Sequence, residues 1–270
     1  MIVDYHTHTS LCKHATGTPE DYVLRALELG FDEIGMSEHI PMPDSFDERH
    51  RMSIEEYYQR YAPSVVEVSE RYKKRIQVRR GIEADFFDGT QEWVREFIKE
   101  NDFDFVIGSV HFLGSWGVDD PTFVHRYEEA DVDRIYEEYF HTVERAVRTG
   151  LFDIVGHYDL VKKFGYRPTR NMDELIREVI GEIKKNDLCL EINTSGLRKP
   201  VQEMYPSEFI LSLARDVRLP LTLGSDAHAP EDVGKDFPLA VEMIERYGSG
   251  KISLFEKRER REVDVTKTSD

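Results

Sequence analysis

Seven short apolar runs, rich in β-branched and aromatic residues, alternate with helix-like patterns along the whole chain. They read "MIVDYH", "EIGMSEH", "IQVRRGIEADF", "FDFVIGSVHF", "FDIVGHYDL", "LCLEINTSGL" and "LPLTLGSDAH". Strict alternation of this kind demands parallel strands joined by helical crossovers. With 270 residues and seven strands, the pattern favours a closed α/β barrel over an open sheet. No Pro/Gly/Ser-rich linker interrupts it, so residues 1–270 are expected to form a single domain.

The intervening segments carry helix punctuation. Thr18 and Pro19 suit a helix start and Gly30 its end. Ser53 and Glu56 have capping-box spacing, and Pro63 should kink or break the helix that follows them. Thr90 is a further candidate cap, and a break is expected near Asp131. A last helix spans about 231–247 with an interruption near Pro238. The charged run "EKRERREV" that follows reads as a solvated, salt-bridged tail.

What marks these runs is how they end. The first closes on His6 and His8, the second on His39, the third on Glu83. The fourth ends at His111, the fifth at His157, the sixth in the polar stretch 193–198, the seventh at Asp226 and His228. Parallel barrels gather their chemistry at the C-terminal ends of the strands, so sequence-distant residues should converge on one face. Alternation points His6 and His8 the same way. With His14, nine candidate ligands result: His6, His8, His14, His39, Glu83, His111, His157, Asp226 and His228. Imidazole and carboxylate without thiolate pairs suit Zn, Mn or Fe in a hydrolytic site. Nine donors exceed the needs of one ion and point to two or three, with Glu83 able to bridge. Cys12 reads as a small buried residue, and His50, His125 and His141 as surface or packing residues. Arg198 is the candidate anion binder, since a guanidinium fork matches phosphate oxygens, with Lys199 and Ser195 beside it. Lys162 and Lys163 are weaker candidates of the same kind.

The charge balance narrows the class of partner. Lys and Arg total 36 against 53 Asp and Glu, for a net charge of −17. Such a field repels a polyanion, so no nucleic-acid partner is expected. No run is long and apolar enough to cross a bilayer, and no basic region precedes a long apolar stretch at the start. Two cysteines do not make a disulfide framework and fit a reducing cytoplasm. The oligomeric state is left open.

The motifs "DYHTHTSLCKHA", "SEH", "GIEADF", "GSVHF", "GHYDL", "EINTSGLRKP" and "LGSDAH", in this order, resemble the polymerase-and-histidinol-phosphatase (PHP) superfamily. The likeness runs from residue 2 to about 229, and "EINTSGLRKP" resembles its monofunctional histidinol-phosphate phosphatase branch. The resemblance implies a distorted (β/α)7 TIM-like barrel with a three-metal centre at the C-terminal strand ends. His6, His8, Glu83 and Asp226 would hold one ion, and Glu83, His111 and His157 a second. His14, His39 and His228 would hold the third. It implies metal-assisted hydrolysis of L-histidinol phosphate to L-histidinol and phosphate, a step of histidine biosynthesis. Glu83, Asp226 and Arg198 would be catalytic. Substrate ammonium and imidazole would suit acidic loop residues such as Asp44. Phosphotyrosine, nucleotides or DNA ends remain alternative substrates, and a non-catalytic metal-binding protein is the alternative of another class.

Overall fold

A computed structural model describes residues 1–265. The strands, in chain order, are β1 (Val3–Asp4), β2 (Glu33–Met36), β3 (Gln77–Asp85), β4 (Phe105–Ser109), β5 (Phe112–Leu113) and β6 (Trp116–Gly117). They continue with β7 (Ile154–Val155), β8 (Cys189–Asn193), β9 (Leu221–Gly224), β10 (Lys251–Glu256) and β11 (Glu259–Asp264). Seven of them form one sheet in the order β1-β2-β3-β4-β7-β8-β9, and every pairing is parallel. The sheet closes on itself. Tyr5 N–H donates to Leu223 O, Ala227 N–H to His6 O and His8 N–H to Ala227 O. These seven strands are the seven apolar runs of the sequence, and the closed parallel barrel expected from them is what forms.

The crossovers are helical. They are α1 (Pro19–Glu28), α2 (Ile54–Glu56), α3 (Ala62–Tyr72), α4 (Gln91–Glu100), α5 (His125–Glu129), α6 (Val132–Arg148), α7 (Asp173–Lys185), α8 (Glu208–Asp216) and α9 (Phe237–Tyr247). The longer ones turn an apolar stripe to the barrel. In α6, Ile135, Tyr139, Phe140, Val143 and Val147 recur at helical spacing and are all buried. Thr18 and Ser53 both complete capping boxes, with Asp21 and Glu56, and Asp131 caps α6. Thr90 does not cap with its side chain. Pro63 breaks nothing: a π-helical turn over Tyr57–Tyr61 links α2 to α3, and Pro63 sits in the first turn of α3. Pro238 likewise lies in the first turn of α9, so it starts that helix instead of interrupting it.

The barrel interior below the site is filled in layers. Phe105 reaches across it, and a Cβ at Gly35 or Gly81 would overlap its ring, which is why small residues stand there. Beneath lie Tyr5, bonded through its hydroxyl to buried Glu33, and Arg79, 3.1 Å from the same carboxylate.

The run "EKRERREV" is solvent-facing and salt-bridged, as expected, but it is part of an ordered hairpin and not a tail. Residues 251–264 form an antiparallel hairpin, β10 on β11, that plugs the floor of the barrel. Ile252, Leu254 and Phe255 are buried, and Phe255 meets Tyr5 and Phe105 at ring centroid distances of 5.9 and 6.5 Å. Arg258 at its turn pairs with Asp153 at 2.8 Å. The charges fall on β11, whose residues stay exposed or half-buried, while the buried residues of the hairpin lie on β10.

Candidate metal centre

The barrel mouth gathers the strand-end residues around Glu83. Its buried carboxylate lies 3.3 Å from His6 Nε2, 3.6 Å from His8 Nε2 and 2.7 Å from His39 Nδ1. It also lies 3.5 Å from His111 Nε2 and 3.0 Å from His157 Nε2. Ser109 donates to Glu83 Oε1 at 2.6 Å. Asp226 Oδ1 approaches His8 Nε2 at 3.4 Å and His228 Nδ1 at 3.5 Å, and Ser195 Oγ donates to its other oxygen. His14 stands at the solvent rim with its Nε2 3.0 Å from His228 Nε2. All nine residues singled out in the sequence therefore meet in one place.

The backbone at this face is shaped for close approach. A Cβ on Gly224, where β9 ends, would collide with the Glu191 carboxylate and with His6. Asp226 adopts the left-handed conformation at φ 52°, which Asp tolerates better than most residues and which turns its carboxylate inward.

Sequence reading did not single out a second layer of carboxylates. Glu191 Oε1 lies 2.7 Å from His6 Nδ1, and Glu191 Oε2 accepts from His157 N–H. Asp85 holds His111 Nδ1 at 2.7 Å, and Glu38 sits 3.3 Å from His8 Nδ1 while accepting from Thr9. Each fixes the tautomer that leaves Nε2 pointing at the centre, the arrangement that orients metal-binding histidines. Strand alternation was the available signal: Asp85 is two residues from Glu83, and Glu191 two before Asn193.

The electrostatics are those of a site built for cations. Burial opposes ionisation of Glu83, yet His6, His111 and His39 hold its carboxyl well below the usual range. Burial opposes protonation of His111 as well, but Asp85 and Glu83 push it up to about 10. Burial and then His39 lower His14 to about 4, and burial and then His8 lower His228 to about 3. His6 Nε2, His8 Nε2, His39 Nδ1 and Glu83 Oε2 are buried without a hydrogen-bond partner, a cost the fold would not carry without something to satisfy them. Donor atoms close enough to share an ion fall into the groups His6–His8–Asp226, His6–Glu83–His157, His8–His39–His228 and Cys12–His14–His228. The donor set fits divalent ions of the zinc class.

A cavity of about 330 Å³ opens onto this cluster. Of the candidate anion binders, Lys199, Lys163 and Ser195 line it. Arg198 does not: its guanidinium donates to Thr194 O and Ser225 O and pairs with Asp236 at 3.3 Å, away from the cavity. Lys162 is fully buried against Asp159 and Glu203. Asp44 faces a different groove, whereas Asp47, Asp119 and Asp120 line this cavity. His50 is not a bystander. It lines the cavity too, with Nδ1 2.8 Å from Asp47 and its ring against His14 at 5.3 Å. His125 and His141 lie on α5 and α6 and do not reach it.

Comparison with known proteins gives the same centre a family. The PHP domain model matches residues 4–195. The chain belongs to the PHP domain family. A Deinococcus radiodurans protein named "Probable histidinol-phosphatase" is 42% identical over 94% of this PHP chain and 96% of its own. The "Histidinol-phosphatase" of Bacillus subtilis is 28% identical over 86% of this chain and 95% of its own. The crystal structure of histidinol phosphate phosphatase from Lactococcus lactis, complexed with Zn, L-histidinol and phosphate, superposes with a TM-score of 0.78. That likeness, at 23% identity over 96% of this chain and 98% of the other, establishes the PHP barrel fold. No helix among the described residues is long and apolar enough to cross a membrane.

Proposed function

We propose that this PHP protein is a metal-dependent phosphomonoesterase that hydrolyses L-histidinol phosphate to L-histidinol and phosphate. The observation that carries the reading is Glu83, buried, with five imidazole nitrogens within 3.6 Å and no hydrogen bond to its Oε2. The nine ligands would hold three divalent ions, Zn, Mn or Fe, with Glu83 shared. Such ions supply Lewis acidity and an activated water for attack on phosphorus.

The chain's own residues supply the rest. Glu191, Asp85 and Glu38 keep His6, His111 and His8 aimed inward, so the centre is preorganised before substrate arrives. Lys199 brings positive charge to the cavity wall for the phosphoryl oxygens, whereas Lys163 is paired with Asp119 at 3.0 Å. Arg198, turned toward backbone carbonyls, instead braces the 3-10 turn after β8 that presents Ser195 and Lys199. Asp47 and Asp120 suit an ammonium or imidazolium, and Phe112, Pro121 and Leu160 give the apolar wall of a small-ligand site. The names of the relatives at 42% and 28% identity favour the same substrate.

The cavity size and the charge of −17 favour a small molecule over a nucleic acid. Buried free thiols at Cys12 and Cys189 are in keeping with a cytoplasmic, reducing setting. The N-terminal ammonium donates to Asp264 O, tying the two ends of what we take to be one domain. The test is a comparison of kcat/KM for histidinol phosphate and tyrosine phosphate with metal-loaded protein. A large preference for histidinol phosphate is expected; equal rates, or a preference for tyrosine phosphate, would reject the substrate.

A further inference from the structure

The loop between β2 and α2 reaches over the cavity and is fastened at several points. Trp93 Nε1–H donates to Pro41 O at 3.0 Å, and Lys13 donates to Glu48 O at 2.8 Å. Phe46 packs on Phe87 and Phe112 at 4.7 and 5.1 Å between ring centroids. One fastening differs in kind. Arg51 is 3% exposed, yet it carries a full charge into the protein. Its Nη2 lies 2.6 Å from Asp85 Oδ2 and its Nε 3.3 Å from Asp47 Oδ2. Its Nη1 donates to Ile40 O at 3.3 Å, and its guanidinium lies 5.9 Å from the Phe112 ring centroid.

Both carboxylates that Arg51 touches have a second task. Asp85 holds His111 Nδ1 through its other oxygen, and His111 Nε2 faces Glu83. Asp47 holds His50 Nδ1 through its other oxygen, and His50 forms part of the cavity wall beside His14. A continuous chain, His50–Asp47–Arg51–Asp85–His111, thus runs from the substrate loop to the metal centre. A planar guanidinium presents donors on two edges in a fixed geometry, which an ammonium on a flexible stem does not reproduce.

We infer that Arg51 is a positioning residue that couples metal retention to the placement of the substrate loop. It rests on the reading of the centre as a metal site. When Arg51 holds Asp85, His111 is fixed in its ligating tautomer; when it holds Asp47, the loop is docked with Asp47 and His50 on the cavity wall. Each half of the chain therefore depends on the same guanidinium.

The experiment compares Arg51→Lys, Arg51→Met and Asp47→Asn with the parent protein. Metal affinity is read by chelator competition, and KM and kcat for histidinol phosphate are read with metal in excess. Arg51→Lys and Arg51→Met should each weaken retention of at least one ion by about 10- to 100-fold, the range typical of lost outer partners of metal ligands. With metal resupplied they should raise KM by more than they lower kcat. Asp47→Asn should raise KM and, through the shared guanidinium, also weaken metal retention, by less than the Arg51 variants do. A folded Arg51 variant that keeps parental metal affinity, with only its melting temperature lowered, would overturn the inference and leave Arg51 as a loop anchor. Should neither Arg51 variant fold, Asp47→Asn decides, because an unchanged metal affinity there breaks the proposed coupling. The metal contrast needs no substrate, so it stands apart from a failure of the histidinol phosphate assignment. A parent protein that binds no metal would instead reject the metal centre itself.

Discussion

Glu191 Oε1 lies 2.7 Å from His6 Nδ1 at the floor of the metal centre, and its other oxygen accepts from the His157 N–H at 2.7 Å. One buried carboxylate from β8 thus sets the ring of one ligand and the backbone of another. Glu191→Gln keeps the volume but presents an amide to both. We expect metal affinity to fall by about 10- to 100-fold, with activity recovering partly in excess metal. Chelator competition on the folded variant checks this.

Lys199 and Arg198 are sequence neighbours with opposite assignments. Lys199→Met should raise KM for the phosphate ester by about 10-fold or more, the scale of one charge-assisted hydrogen bond, at nearly unchanged stability. Arg198→Met removes the partner of Ser225 O and Thr194 O and should cost about 1–3 kcal/mol of stability. Steady-state kinetics and denaturant melts on the two variants separate the roles.

Phe255, 2% exposed, fills the barrel floor against Tyr5 and Phe105. Phe255→Ala should destabilise the protein by about 3–5 kcal/mol. Metal content per folded chain should not change, since layers of side chains separate the floor from the site. Urea unfolding and metal analysis of the folded fraction measure the two effects.

Asp133 holds the 169–170 segment onto α6. Its carboxylate accepts from the Arg170 and Thr169 N–H groups and from the Thr169 hydroxyl, with Arg170 Nε at 3.2 Å. The Arg170 backbone N–H first, and then the Thr169 groups, pull its carboxyl down to about 2 from an ordinary 3.8. A depressed carboxyl stabilises the fold fully above its unfolded value and stops doing so as pH falls through the folded one. The stability difference between parent and Asp133→Asn should therefore be constant above about pH 4 and shrink between pH 4 and about pH 2. Melting temperatures of both proteins across that window give the answer.

What the sequence displayed and what it concealed follow from how far each feature depends on local pattern. His6, Glu83, His111 and Asp226 were legible because a parallel strand delivers its last inward residues to one mouth, and alternation says which they are. Asp85 and Glu191 obey the same alternation but look like ordinary strand polarity until their imidazole partners are seen across the barrel, and Glu38, next to His39, falls on the other parity. Arg198 was preferred to Lys199 on guanidinium chemistry, but Lys199 faces the cavity, because a 3-10 turn, with no period to read at that length, decides the matter. His50 was hidden for a related reason: its loop is placed by the buried Arg51–Asp85 contact, whose members are 34 positions apart in sequence. The hairpin β10–β11 was obscured by the charge on β11.

The most direct test of the account counts ions and turnover together. Protein stripped by chelator is reloaded stepwise, and phosphate release from histidinol phosphate is followed alongside metal content per chain. Negligible release is expected from stripped protein, with a rise to a plateau as the content approaches three ions. Release that is independent of metal content would contradict a metal-dependent reaction.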